Sequence, residues 1–226
     1  MKRQIVRTAD GSSSIYLEEM DEQYHSKHGA IAESEHIFIQ NGLLEKKAEP
    51  VISVFEVGMG TGLNVMTSIQ AAEKHKLSIN YEAIEAFPIL ISELKDLNFV
   101  EALNFDPMLF QKIHKTEWGI EQSLNTNFRL TKWHEKLQMI KLLPAQYDVI
   151  YFDAFAPEKQ GEMWSKEIFE DLFTALKYDG ILVTYCVKGE IRRRLKEVGF
   201  TVEKLPGPIG GKREICRARK EFKDEA

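Results

Sequence analysis

The chain has 226 residues, 43% of them hydrophobic, which suits one large core, or one domain with an appendage, and excludes a disordered chain. Its formal net charge of −5 argues on average against a nucleic-acid partner, and no stretch approaches the apolar length of a membrane-spanning helix. Met1 to Val6 carries charges but no apolar leader, and Cys186 and Cys216 lack metal-type spacing, so a cytoplasmic protein with reduced, buried thiols is expected. Along the chain, Gln4 to Thr8 and Ser14 to Glu18 alternate around Ala-Asp-Gly-Ser-Ser, which predicts a small hairpin. Asp21 to Gly29 reads as a loop and Ala30 to Gln40 as a helix. Residues 1–48 are therefore expected to form a cap on a domain spanning 49–226. His25 and His28 stand near Glu33 and Glu35, but the spacing shows no convergent ligand set, so no metal is expected.

Val51 to Val57 is a β-branched and aromatic run of the kind buried on both sheet faces, and Leu63 to Ala72 then takes helical spacing. Gly58, Gly60 and Gly62 fall between them. Glycine there permits positive φ and lets backbone N–H groups approach a ligand at the positive end of a helix. A side chain at Gly60 is thus expected to obstruct only the bound ligand. The dinucleotide pattern G-x-G-x-x-G would need glycine where Leu63 stands. The observed G-x-G-x-G, preceded by Glu56 and followed by Asn64, resembles motif I of the S-adenosylmethionine (SAM) methyltransferases. Ser78 to Ile84 reads as the next strand, and Glu85 closes it where an acid can accept both ribose hydroxyls. Glu82 is the rival acid, but it sits mid-strand, away from the carboxyl ends where ligands of open α/β sheets gather. Phe87 offers a flank for an adenine.

Leu90 to Leu103 is predicted helical, Met108 to Trp118 a shorter helix or insert, Phe128 to Trp133 a strand, Leu137 to Leu142 a short helix and Tyr147 to Asp153 a buried strand. Met163 to Leu176 is an amphipathic helix whose apolar side is core. Asp179-Gly180 turns into a strand from Ile181 to Val187, a helix covers Ile191 to Val198, and Phe200 to Leu205 pairs with Arg213 to Arg219. The fold class is α/β: a parallel sheet that ends in an antiparallel hairpin. This layout resembles the Rossmann-like class I SAM methyltransferases.

Asp153-Ala-Phe-Ala-Pro157 stands at the carboxyl end of the fourth sheet strand, beside the glycine turn if the sheet is doubly wound, where a methyl acceptor is expected. A carboxylate directly after a buried run is costly without a partner. Phe155 and Pro157 supply a rigid apolar wall for stacking a planar base. Between Cys186 and Lys220 eleven basic residues face four acids, a local +7 against −12 elsewhere, which points to a polyanion despite the average. Within it, Lys212 and Arg213 are candidate phosphate contacts, and Glu214 is a partner for either.

Glu56-Val-Gly-Met-Gly-Thr-Gly-Leu-Asn64, Asp153-Ala-Phe-Ala-Pro157 with Glu162-Met-Trp164, Gly211-Lys-Arg-Glu214 and the upstream segment Tyr24 to Phe38 together resemble the methyltransferase domain of the bacterial tRNA 5-methylaminomethyl-2-thiouridine biosynthesis enzymes MnmC and their stand-alone MnmD counterparts. The resemblance implies SAM as cofactor, held by Glu56, Gly58, Gly60, Gly62, Asn64, Glu85 and Phe87. It implies methylation of the aminomethyl nitrogen on a tRNA wobble uridine, with Asp153 orienting the amine, and the tRNA anticodon stem-loop as partner. Trp133-His-Glu135 departs from the family's Gly-Asp, leaving Glu135 as the adenine contact. No second dinucleotide turn follows, so a separate oxidase or another route is expected to supply the aminomethyl group. Rival readings are an aminopropyltransferase of the spermidine synthase type, an N-methyltransferase of small amines, and an RNA-binding module without chemistry.

Overall fold

The computed structural model of the chain describes residues 2–211 and 213–221. Strands β1 (Arg3–Arg7) and β2 (Ser13–Leu17) form the expected hairpin, and β3 (Glu22–Gln23) extends it. Asp10 shapes the connection by accepting from the Thr8 and Ser12 hydroxyls. Helix α1 (Ala30–Ser34) widens into a π turn over Glu35–Gln40, which buries Ile37, Phe38 and Ile39 in succession. A 3-10 turn at Leu43–Lys46 leads into the large sheet.

That sheet starts with β4 (Ile52–Val57), followed by α2 (Leu63–His75) and β5 (Ile79–Ile84). The single helix expected over Leu90 to Leu103 is instead two short turns, α3 (Ile91–Leu94) and α4 (Phe99–Ala102). Asn98 breaks it: its backbone N–H donates to Ser13 Oγ at 3.2 Å and its amide to the Gly11 carbonyl at 3.0 Å, so bonds to the hairpin replace the helical ladder. Helix α5 (Pro107–Lys115) is N-capped by Asp106, and β6 (Gln122–Asn125), an edge strand that the sequence pattern did not reveal, pairs with β7 (Phe128–Trp133).

A 3-10 turn at Leu137–Met139 precedes β8 (Tyr147–Phe152), every residue of which is buried. The helix expected from Met163 is split by Ser165, which caps α6 (Lys166–Ala175) after a 3-10 turn at Gly161–Trp164. Strand β9 (Leu176–Thr184) begins earlier than expected. It absorbs Asp179-Gly180 as a bulge, with Leu176 opposite Tyr147 but Ile181 opposite Val149 and φ +61 at Asp179. Helix α7 (Gly189–Val198) and the hairpin of β10 (Thr201–Pro206) and β11 (Glu214–Arg219) complete the fold.

The eight strands run in the order β10-β11-β9-β8-β4-β5-β7-β6. β4 is parallel to both β5 and β8, while β10, β11 and β6 are antiparallel at the two edges. The chain leaves β4 toward β5 and returns to β8 on the other side, so the crevice that binds ligands in such sheets opens between the carboxyl ends of β4 and β8. One apolar layer joins the cap (Ile15, Leu17, Ile37, Phe38) to α2 and α5, and α6 and α7 cover the opposite face. Among the described residues no helix is long and apolar enough to cross a membrane. Cys186 and Cys216 are both buried, and burial pushes the Cys216 thiol up to about 12.

Candidate active site

The three glycines leave β4 with φ of +89, +50 and +75 at Gly58, Gly60 and Gly62, values that L side chains rarely adopt. Each also lies against a neighbour. A Cβ at Gly58 would stand 2.7 Å from the Asp153 carbonyl oxygen, one at Gly60 3.0 Å from the Tyr24 ring, and one at Gly62 2.9 Å from His114. The expectation for Gly60 is corrected accordingly: a side chain there meets the cap's Tyr24 in the protein itself, before any ligand. Gly62 caps α2 without a side-chain acceptor for the helix's first amides.

Glu85 follows β5, with its Oε2 accepting from the Gly60 N–H at 2.9 Å and its Oε1 from the Phe87 N–H at 2.8 Å. The acid is thereby oriented by backbone, with lone pairs remaining for a diol. Glu82, the rival, is spoken for by the Trp133 indole N–H and the Gln146 amide at 2.8 and 2.9 Å.

Asp153 follows β8, its backbone N–H donating to the Val57 carbonyl at 3.0 Å. Asn64, on the first turn of α2, donates to Asp153 Oδ2 at 3.0 Å and to Glu56 Oε1 at 2.9 Å, while its own oxygen accepts from Ser34 Oγ at 2.6 Å. Glu56 is fully buried. Burial first, and the negative charge of Asp153 besides, push its carboxyl well above the usual carboxylate range.

These groups frame a cavity of about 1200 Å³, above the usual 300–1,000 Å³ of a small-ligand site. Gly58, Gly60, Asn64, Glu85, Phe87, Glu135, Asp153 and Phe155 all line it. Glu56 does not; it lies beneath, holding Asn64. Gly62, Pro157 and Arg213 are not among the lining residues either, and Lys212 lies outside the described residues. Phe87 and Glu135 are exposed at the rim. The cap closes the cavity with residues that no local spacing announces. Tyr24 packs edge-on against Phe155 at 5.1 Å, and burial, with the charge of Glu85, pushes its phenol up to about 12. The cavity thus fits SAM by its own chemistry: a glycine cradle at a helix N-terminus, a preoriented acid one strand away, and a carboxylate facing the space that remains.

The basic segment is largely committed within the protein. Arg217 pairs with Glu45 and Glu203, Arg219 with Asp179, Lys204 with Glu214 and Lys188 with Glu158. Arg192, Arg194 and Lys220 donate to backbone carbonyls. Glu214 therefore meets Lys204 across the hairpin. Exposed lysines stand instead on the cavity wall: Lys27, Lys136 and Lys159. Among the described residues no group of His, Cys, Asp and Glu is placed to hold a metal ion.

The profile of a family described as S-adenosyl-L-methionine-dependent methyltransferase matches residues 107–221, a span that includes Glu135 and Asp153. The chain is 31% identical over 217 residues to the tRNA 5-methylaminomethyl-2-thiouridine biosynthesis bifunctional protein MnmC of Cupriavidus necator, covering 90% of this chain and 32% of that protein. Its likeness to the same protein of Pseudomonas fluorescens is 29% over 210 residues, covering 87% and 32%. The crystal structure of MnmC2 from Aquifex aeolicus superposes with a TM-score of 0.75 at 25% identity, covering 96% of this chain and 70% of that one. The chain spans about a third of the length of the curated relatives.

Proposed function

Because this chain belongs to the S-adenosyl-L-methionine-dependent methyltransferase family, we propose that it methylates the amine of a 5-aminomethyl group on the wobble uridine of tRNA. The observation that carries this reading is the Asp153 carboxylate, lining a cavity larger than a single small-ligand site beside the glycine turn. The relatives' names support the acceptor. We further read residues 1–48 as a cap and 49–226 as the catalytic domain, in a cytoplasmic protein that depends on a separate oxidase or another route for its aminomethyl substrate.

Bound SAM supplies a methyl group already activated on a sulfonium. Gly58, Gly60 and Gly62 would hold it by presenting a turn without side chains, their own N–H groups being donated to the Ile84 carbonyl, Glu85 Oε2 and the Met59 carbonyl; Glu85 would take the ribose hydroxyls, and Phe87 and Glu135 would flank the adenine. The protein's chief task is alignment. An alkyl amine of pKa about 10 must lose a proton at a cost of about 4 kcal/mol at neutral pH. A carboxylate beside the amine opposes that loss while desolvation promotes it. Asp153 is therefore better suited to accept an N–H of the neutral amine and to stabilise the positive charge that develops on nitrogen. Asn64 holds Asp153 Oδ2 and so sets how the carboxylate meets the amine. After transfer, the proton of the new ammonium leaves through Asp153 or water. Lys27, Lys136 and Lys159 would meet phosphates of the stem-loop without reading its sequence.

The test is incubation with methyl-labelled SAM and tRNA carrying 5-aminomethyluridine, followed by nucleoside mass spectrometry. Label in 5-methylaminomethyluridine is the expected result. Label on a small amine alone, or transfer of an aminopropyl group without the methyl label, would replace this reading with one of its rivals.

A further inference from the structure

One side chain of the cap reaches into the glycine turn. The Nε2 of His25 lies 3.1 Å from Thr61 Oγ1, between Gly60 and Gly62, and its Nδ1 lies 3.1 Å from Ser14 Oγ on β2. The same Ser14 oxygen accepts from the His25 backbone N–H at 3.1 Å. The imidazole stands edge-on to Phe99, with centroids 5.8 Å apart and planes at 89°. Thr61 is 1% exposed, so its hydroxyl is held among protein groups. Burial pushes the imidazole down to about 4, so the ring is neutral at physiological pH. A neutral ring offers one donor and one acceptor, and hydroxyls can meet either.

We propose that His25 is a positioning residue for the cofactor, fastening the N-terminal cap to the glycine turn through Thr61 and so keeping Tyr24 over Gly60. Left to itself, a turn with glycine on both sides of Thr61 samples many conformations, and binding would have to order it. The strut orders it in advance. It also sets the neighbouring Tyr24, whose ring forms one wall of the cavity against Phe155. The cap histidine thereby acquires a role in shaping the site. The proposal rests on the reading of this turn as the SAM site.

The test is a double-variant cycle on SAM affinity, measured by calorimetry, with kcat at saturating SAM followed in parallel. His25→Phe keeps a ring on Phe99 and removes both nitrogens; Thr61→Val keeps the shape and removes the hydroxyl; Thr61→Ser keeps the hydroxyl. Each of the first two is expected to weaken SAM binding roughly five- to tenfold, the contribution of one hydrogen bond. kcat at saturating SAM should change by less than about twofold, Thr61→Ser should bind like the parent, and the double variant should be no weaker than either single one. Additive losses, parent-like binding by Thr61→Val, or Thr61→Ser as weak as Thr61→Val would overturn the proposal. Should His25→Phe fail to fold by circular dichroism, the two Thr61 variants decide alone. Glu85→Ala separates the two levels. If it too leaves SAM binding unchanged, the turn is not the cofactor site; if it weakens binding while Thr61→Val does not, only the strut falls.

Discussion

Asn64 and Asp153, 89 positions apart in sequence, meet in one hydrogen bond of 3.0 Å from the amide nitrogen to Oδ2. The same nitrogen lies 2.9 Å from Glu56 Oε1, so a single neutral amide separates a buried carboxyl from the carboxylate that faces the cavity. Ser34 Oγ donates to the amide oxygen at 2.6 Å and so decides which way the amide points. Asp153 therefore enters the site already oriented, by a residue on the first turn of the helix that follows the glycines.

Asn64→Leu removes that orientation and leaves Ser34 and the buried Glu56 short of a partner. Turnover should fall at least about tenfold, and stability by roughly 1–3 kcal/mol. Denaturant unfolding alongside steady-state kinetics tests both. Parent-like turnover would mean that Asp153 needs no such support.

The second prediction concerns pH. Folded Glu56 holds its proton to higher pH than a glutamate in water, whose ordinary value is 4.5. Its contribution thus favours the folded state fully below that value and is lost as pH rises through the folded one. The amide of a Glu56→Gln variant has no proton to lose, so the variant's melting temperature should gain on the parent's as pH is raised from about 5 toward about 9. A gap that stays constant across that range would show that Glu56 ionises in the fold much as it does in solution.

Asp153→Asn keeps the shape and a hydrogen-bond acceptor but removes the negative charge. SAM affinity should remain near the parent's while kcat drops by roughly 10² or more, as on loss of one preorganised electrostatic partner. Near-normal turnover would assign the amine to another group.

A fourth prediction compares two glycines of positive φ. Gly58→Ala places a methyl 2.7 Å from the Asp153 carbonyl, whereas Gly210→Ala, at φ +77, meets nothing within 4 Å. The Gly210 variant should lose only the conformational cost, about 1 kcal/mol, and the Gly58 variant clearly more, because backbone cannot swing away as a side-chain tip can. Equal losses in thermal unfolding without ligand would mean that β4 and β8 separate easily at their carboxyl ends.

The last concerns the acceptor. Lys136→Ala and Lys159→Ala should each weaken tRNA binding and flatten its salt dependence by about one unit of slope, with SAM affinity unchanged. Lys212→Ala with Arg213→Ala is the comparison, since the sequence pointed there. If only the latter pair moved the slope, the stem-loop would lie along the carboxyl-terminal hairpin instead of the cavity wall.

The glycine turn, the acid after β5, the carboxylate after β8 and the alternation of strands and helices were all legible in the amino-acid sequence. These are short-range signals: three glycines between an apolar strand and a helix, or a charge directly after a buried run, have meaning within a dozen residues. Position along the strand also separated Glu85, which lines the cavity, from Glu82, which does not. What those residues touch emerges only from the folded chain. Glu56 has the same local context whether it contacts a cofactor or braces Asn64, and its depth beneath the cavity depends on strands paired on both sides. The break at Asn98, the bulge at Asp179 and the Thr61 contact of His25 all arise from hydrogen bonds between segments distant in the chain, where no periodicity records the partner. The basic segment shows the same limit for charge. Its +7 is visible in composition, but whether that charge faces a phosphate or Glu45, Asp179 and Glu158 is settled by which surfaces the fold brings together.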